Sequence, residues 1–284
     1  MNARNQTDAI LYFVIETYGV RVRIETNDGR LRKITESIAR KAFLNRLAID
    51  ETPGAVFDHS FGILRTEAGI IQLFENGEFR SDTADEDIML RFFTSILRVT
   101  VAERAKPWVF VHAGVVGING KAIVIPGNSY TGKTTLVAEL VKRGAEYFSD
   151  EYAVFDENGL VHPFARDLSI RINGDRLSPE RVSVEDFGGV SAVRPAPVGL
   201  VLLTEFKAGE VWEPERLTLG NGIKELIPHT VPIRFNTEFS LKVLNKGLSR
   251  AIIIKGLRSD AGDFADALLS FMDNDLNWSA MTLV

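Results

Sequence analysis

The chain has no cysteine among its 284 residues. Disulfides, thiolate zinc sites and cysteine nucleophiles are therefore excluded, and the absence fits a reducing compartment. No apolar run approaches the roughly 20 residues that a membrane-spanning helix needs. The opening segment, MNARNQTDAILYFVIETYG, lacks the layout of a signal peptide, because its short apolar stretch is soon followed by Glu16 and Arg21. Basic charge is not in excess: 33 Lys and Arg stand against 38 Asp and Glu, a net charge of −5. A dedicated nucleic-acid binder carries a broad basic face that this composition does not supply. There is no internal repeat, no low-complexity tract and no G-x-S-x-G elbow, so a hydrolase triad has no support. Together these absences predict a cytoplasmic protein with neither membrane nor nucleic acid as partner.

What is present is a 45% hydrophobic chain, enough to build a full core in one large or two smaller domains. The first hundred residues read as a small α+β unit. Apolar, β-prone runs at 9–16 and 19–26 flank Tyr18-Gly19, which predicts a hairpin. Residues 31–47 follow a helical period through Leu31, Ile34, Ile38, Ala42 and Leu47. Two short strands are predicted at 61–66 and 70–75, then a helix at 84–104 with Ile88, Phe92, Ile96 and Val99 as its apolar stripe. Pro107 opens a different pattern: a strand over VFVHAGVV, an Asn119-Gly120 turn, and a strand over KAIVIP. A helix over about 133–143 ends at Gly144, and a strand follows at about 146–155. Further strands are predicted at 168–172, 199–205 and 250–255, and helices at 221–228, 236–246 and 262–273. The domains are placed at 1–105 and 106–284.

Between the KAIVIP strand and the following helix lies Gly127-Asn128-Ser129-Tyr130-Thr131-Gly132-Lys133-Thr134, a match to G-x-x-x-x-G-K-[ST]. Glycines let the backbone curl so that successive amides point at phosphate oxygens, and the helix N-terminus adds its positive dipole end. Lysine reaches the outer phosphates and the hydroxyl ligates magnesium. With average residue usage the octapeptide arises by chance in about one chain in a hundred of this length. The strand before it and the helix after it supply the context the motif requires. Residues 127–135, Thr135 included, are the predicted nucleotide site, with Mg2+ on Thr134. ATP and GTP are not distinguished, since nothing in the sequence reads a base.

A P-loop enzyme also needs a carboxylate near the metal and a group to handle the acceptor proton. Asp150 and Glu151 come directly after the P-loop helix, in the middle of the predicted 146–155 strand. Adjacent strand residues point to opposite faces, so the two carboxylates do one job together only if the strand ends or bulges there. His112 lies in the strand before the hairpin. His59, His162 and His229 show no metal-ligand spacing.

The run VHAGVVGINGKAIVIPGNSYTGKTTLVAEL, followed by VKRGAEYFSDEYAVF, resembles the catalytic domain of HPr kinase/phosphorylase and its serine-kinase relatives, which have a phosphoenolpyruvate-carboxykinase-like fold. The resemblance implies an α/β P-loop domain with a mixed sheet, preceded here by the small α+β domain. It implies His112 as an active-site histidine, Lys133 on the phosphates, Thr134 on the metal, Asp150 as the base that accepts the serine proton and also lies near the metal, and Glu151 as a metal carboxylate. It also implies a homo-oligomer and an acceptor that is a protein or peptide serine. Three positions depart from the family pattern. Tyr130 stands where glycine is usual, Glu151 replaces aspartate, and the glycine-rich arginine signature is absent. In that place stand Pro163–Arg171 and Phe187-Gly188-Gly189, and Arg166 or Arg171 is the candidate additional cation. HPr itself as substrate is thereby put in doubt. A nucleotide-binding switch without transfer, a kinase of a small hydroxyl compound such as free serine and, ranked low, a carboxykinase-like reaction stay open. The N-terminal unit either recruits the acceptor, mediates self-association or caps the fold.

Overall fold

The computed structural model describes residues 10–128, 131–164, 166–170 and 180–273. The chain divides into two compact units, Met1–Pro107 and Trp108–Val284. Among the described residues no helix is long and apolar enough to cross a membrane.

In the first unit β1 (Leu11–Thr17) and β2 (Val20–Thr26) form an antiparallel hairpin. Tyr18 and Gly19 both take positive φ, 50° and 72°, as a two-residue mirror-image turn demands. Helix α1 (Gly29–Phe43) starts on Asp28, whose carboxylate accepts from the amides of Arg30 and Leu31. β3 (Ala48–Asp50), β4 (His59–Arg65), β5 (Ile71–Glu75) and β6 (Glu78–Thr83) complete a six-stranded sheet in the order β3-β1-β2-β4-β5-β6. Helix α2 (Glu86–Arg104), capped by Asp85, packs on α1 and on β5 and β6. Its buried stripe is Met89, Phe93, Leu97 and Val101, one residue out of phase with the expected one, and Ile88, Phe92 and Val99 are exposed.

The second unit is mixed α/β. β7 (Val109–Ile118) and β8 (Lys121–Pro126) form a hairpin through Asn119 and Gly120, whose φ values of 51° and 72° repeat the first turn's geometry. Then come α3 (Lys133–Lys142), β9 (Glu146–Ser149), β10 (Tyr152–Phe155), β11 (Val161–His162), β12 (Leu168–Ile170), β13 (Glu180–Val182), β14 (Val190–Ser191), β15 (Val198–Phe206) and β16 (Glu215–Arg216). α4 (Leu219–Leu226), a short 3-10 turn at Ile227–His229, α5 (Thr237–Leu248), β17 (Ile252–Arg258) and α6 (Ala261–Asp273) follow. The main sheet runs β11-β10-β7-β8-β15-β17-β16, with β8, β15 and β17 mutually parallel.

Both faces of this sheet are covered. On one, Leu200 and Leu202 of β15 meet Leu136 and Leu140 of α3 and Phe264 and Leu268 of α6. On the other, Val201 and Leu203 meet Leu226 of α4 and Val243 and Leu244 of α5. Double coverage explains why VGLVLL and IVIP read as unbroken apolar runs without alternation. The expected single strand over 146–155 is two strands. β10 pairs with the first half of β7 and β9 with the second, with a bulge opposite Val115–Val116, and Asp150-Glu151 stand in the gap.

Candidate functional site around Lys133

β8 delivers the chain to the sheet's interior at Pro126, and α3 starts at Lys133, so the loop between them sits at the carboxyl end of a parallel strand. Ligands of open α/β sheets gather at such ends. Gly132 adopts left-handed backbone, φ 83°, and a Cβ there would lie 2.6 Å from Nη2 of Arg258. At Gly127 a Cβ would lie 2.9 Å from Thr131 Oγ1. The Thr131 hydroxyl donates to the Asn128 carbonyl at 3.0 Å. Asn128 is exposed, Thr131 and Thr134 are half-buried, and Thr135 is exposed on the first turn of α3. Ser129, Tyr130 and Arg171 lie outside the described residues.

Lys133 is 6% exposed. Its Nζ donates to the carbonyl oxygens of Gly127 at 2.5 Å and Asn128 at 2.6 Å. Burial draws its pKa down to about 8, and the charge of Asp150 partly offsets the shift. Two strand ends hold the downstream residues of the loop. The Phe206 amide donates to the Thr131 carbonyl at 3.2 Å, and Arg258 Nη2 donates to the Gly132 carbonyl at 2.9 Å. Arg258 is 1% exposed, and burial lowers its pKa against the opposing charge of Asp260. Arg258 escaped the sequence analysis because it lies 126 positions from Gly132. Its one signal is a charged residue closing the apolar strand IIIKGLR.

Gly114 of β7 is a second residue without a sequence motif. A Cβ there would meet Val137 Cγ2 at 2.6 Å, so the absence of a side chain lets α3 settle onto β7 beside Lys133. Across from it the gap between β9 and β10 presents the acidic pair. The Ala113 amide donates to the Glu151 carbonyl at 3.1 Å. Asp150 accepts a hydrogen bond from the buried Tyr147 hydroxyl at 3.0 Å, and burial together with the Asp150 charge raises the tyrosine's pKa. The Glu151 carboxylate forms an ion pair with Arg166. The candidate cation Arg166 is thus placed at the acidic pair. Interrupted pairing releases both carboxylates from strict strand alternation, the exception that the sequence left open.

His112 is half-buried and stands opposite Tyr152 of β10. Burial, then the charges of Lys133 and His229, bring its pKa down to about 4, so the imidazole is neutral at pH 7. His229 belongs to the same neighbourhood although no spacing rule marks it. The groups that meet here are an ammonium, two imidazoles, a carboxylate carrying a phenol donor, and a carboxylate–guanidinium pair. Among the described residues no cluster of three or more His, Asp or Glu side chains forms a metal cage.

No family model matches the chain, and no curated protein is similar to it. Among solved structures, the Hpr(Ser) kinase/phosphatase from Coxiella burnetii aligns with 58% of this chain and 94% of its own, at 18% identity and a TM-score of 0.32. An overlap that loose lends no function to this chain.

Proposed function

We propose that the second unit is a magnesium-dependent phosphotransferase that moves the terminal phosphoryl group of a nucleoside triphosphate, ATP or GTP, to a hydroxyl, with a protein or peptide serine as acceptor. The reading is carried by Lys133. It is a buried ammonium at the head of a helix, hydrogen-bonded to two neutral loop carbonyls and, among the described residues, to no carboxylate. A buried cation left with neutral partners is costly, and an anionic phosphate chain is the partner that removes the cost. The match to G-x-x-x-x-G-K-[ST] and its seat after a parallel strand support the same ligand.

Magnesium suits the donor set. It binds through one or two carboxylates and substrate phosphates while keeping several waters, so it needs no all-protein cage. Thr134 would hold it through its hydroxyl together with the acidic pair, Glu151 sharing its carboxylate between the ion and Arg166. The ion supplies charge neutralisation on the phosphate oxygens. Lys133 shifts its donors from the Gly127 and Asn128 carbonyls to the phosphates. Asp150, steadied by the Tyr147 hydroxyl, accepts the proton of the incoming hydroxyl. His112, neutral at pH 7, donates a hydrogen bond.

The test is Asp150→Asn beside Lys133→Met, assayed for binding by calorimetry and for transfer of label from γ-labelled ATP to a serine-containing peptide pool. Asp150→Asn should bind magnesium-ATP within about threefold of wild type and transfer at least ~100-fold more slowly, the usual scale for a lost general base. Lys133→Met should lose binding. Unchanged transfer by Asp150→Asn defeats the base assignment. Unchanged binding by Lys133→Met defeats the whole reading. Binding without labelled peptide identifies a switch, and label on a free metabolite identifies a small-molecule kinase.

A further inference from the structure

The four histidines fall into two classes. His59 and His162 are each hydrogen-bonded to a carboxylate, Glu75 at 2.8 Å and Asp156 at 3.0 Å. His112 and His229 instead lie within reach of the Lys133 charge, which together with burial lowers the pKa of each. How His229 gets there follows from strand pairing. Val111 of β7 pairs with Ala153 of β10 on one edge. On its other edge it makes an isolated antiparallel bridge with Thr230. That second edge is the one β8 occupies further along, from Ala113 opposite Pro126 onward. Where β8 leaves the sheet and turns into the 127–134 loop, Thr230 takes over its lane. In an antiparallel bridge the residue after Val111 and the residue before Thr230 lie to the same side of it, and the charge of the second acts on the first. Those residues are His112 and His229.

The arrangement is anchored. Thr230 is buried, and its hydroxyl donates to the Leu226 carbonyl at 2.8 Å. Pro228 and Pro232 stiffen the chain on either side. The His229 ring is half-buried, and among the described residues no hydrogen-bond partner meets its buried Nδ1. An unpartnered Nδ1 leaves the tautomer unset by the protein, so Nε2 can carry the proton and present a donor.

We propose that His229 is a second imidazole of the phosphoryl-transfer site and, beside His112, donates a hydrogen bond to the terminal phosphoryl group held by Lys133. This rests on the phosphotransferase reading above and adds a residue to it. The charged and titratable groups around the pair are Lys133 and His229 for His112, and Lys133, Glu225 and Glu205 for His229. Burial and the Lys133 ammonium hold both rings neutral, and an arriving polyanion works in the opposite direction, favouring the donor form of each ring.

The experiment uses the full chain labelled with 15N-histidine, titrated with magnesium and either ADP or a non-hydrolysable ATP analogue, with His229→Gln and His229→Ala as variants. The His112 and His229 ring nitrogens should shift with the triphosphate analogue far more than with ADP, while those of His59 and His162 stay in place. His229→Gln, which keeps a donor near the Nε2 position, should retain more transfer rate than His229→Ala. His229→Ala should lose tenfold or more in kcat with ADP affinity within threefold of wild type. If the analogue binds through Lys133 yet leaves the His229 resonances unmoved, or if His229→Ala transfers at the wild-type rate, this proposal fails and the phosphotransferase reading stands. If His229→Ala does not fold, the resonances and His229→Gln decide alone. If neither nucleotide binds, both fall.

Discussion

Replacing Lys133 by methionine removes one buried charge, and its consequence depends on pH in a calculable way. In the folded chain the lysine titrates near 8, against 10.5 for the free side chain. Below pH 8 it is charged in both folded and unfolded chains, and the folded state bears the full cost of burying it. Between the two values the folded chain has released a proton that the unfolded chain still holds, so stability rises with pH. Above the unfolded value the lysine is neutral in both states and no further gain follows. At ~1.4 kcal/mol per pKa unit, the shift corresponds to on the order of 3 kcal/mol gained by wild type over the variant across the window. All three tryptophans, Trp108, Trp212 and Trp278, fall in the Trp108–Val284 unit, so tryptophan fluorescence follows its unfolding without a signal from the first unit. Urea titrations of both proteins at pH 7, 8, 9 and 10 give the difference directly, and other titrating groups cancel. A wild-type-minus-variant difference that stays flat from pH 7 to pH 10 would refute the argument that Lys133 is held charged at a cost.

The same lysine sets the pH dependence of binding. Affinity for magnesium-ATP should be level up to about pH 8 and fall above it as the free protein's Lys133 loses its proton, a curve that calorimetry reads. Gly114→Val should destabilise the second unit by ~1–3 kcal/mol, because its Cβ would stand 2.6 Å from Val137 Cγ2 and drive α3 off β7. Thermal unfolding by tryptophan fluorescence measures the loss, and an unchanged midpoint contradicts the packing. Arg166→Met removes the guanidinium from its ion pair with Glu151. Transfer should then require a different magnesium concentration for half-maximal rate, whereas equal magnesium dependence in the two proteins would separate Glu151 from the metal.

Local chemistry made the hairpins readable. Tyr18-Gly19 and Asn119-Gly120 each place two positive φ angles between apolar runs, a demand few residue pairs meet. Helix α3 was readable for a similar reason, since it starts at a glycine-lysine step and is closed by Gly144 at φ 97°. The face of α2 was not. Ile88 with Met89, Phe92 with Phe93, and Ile96 with Leu97 make two apolar stripes one residue apart, and only the position of the sheet chooses between them. The site divides along the same line. Lys133, Asp150 and His112 lie within one contiguous stretch and carry a pattern. Arg258 and His229 depend on which distant segments the fold brings beside Gly132 and Val111, information held in contacts far apart along the chain.

The two bonds that hold Thr131 and Gly132 come from the last residues of β15 and β17. They place the downstream half of the bend that we propose grips phosphate under the control of two strands remote from it in sequence. Erosion at Arg258 would therefore show itself as a weakened grip on nucleotide in an otherwise intact molecule. An affinity survey of variants would flag it as a binding residue, although the bond its guanidinium makes is to the Gly132 carbonyl of the bend itself.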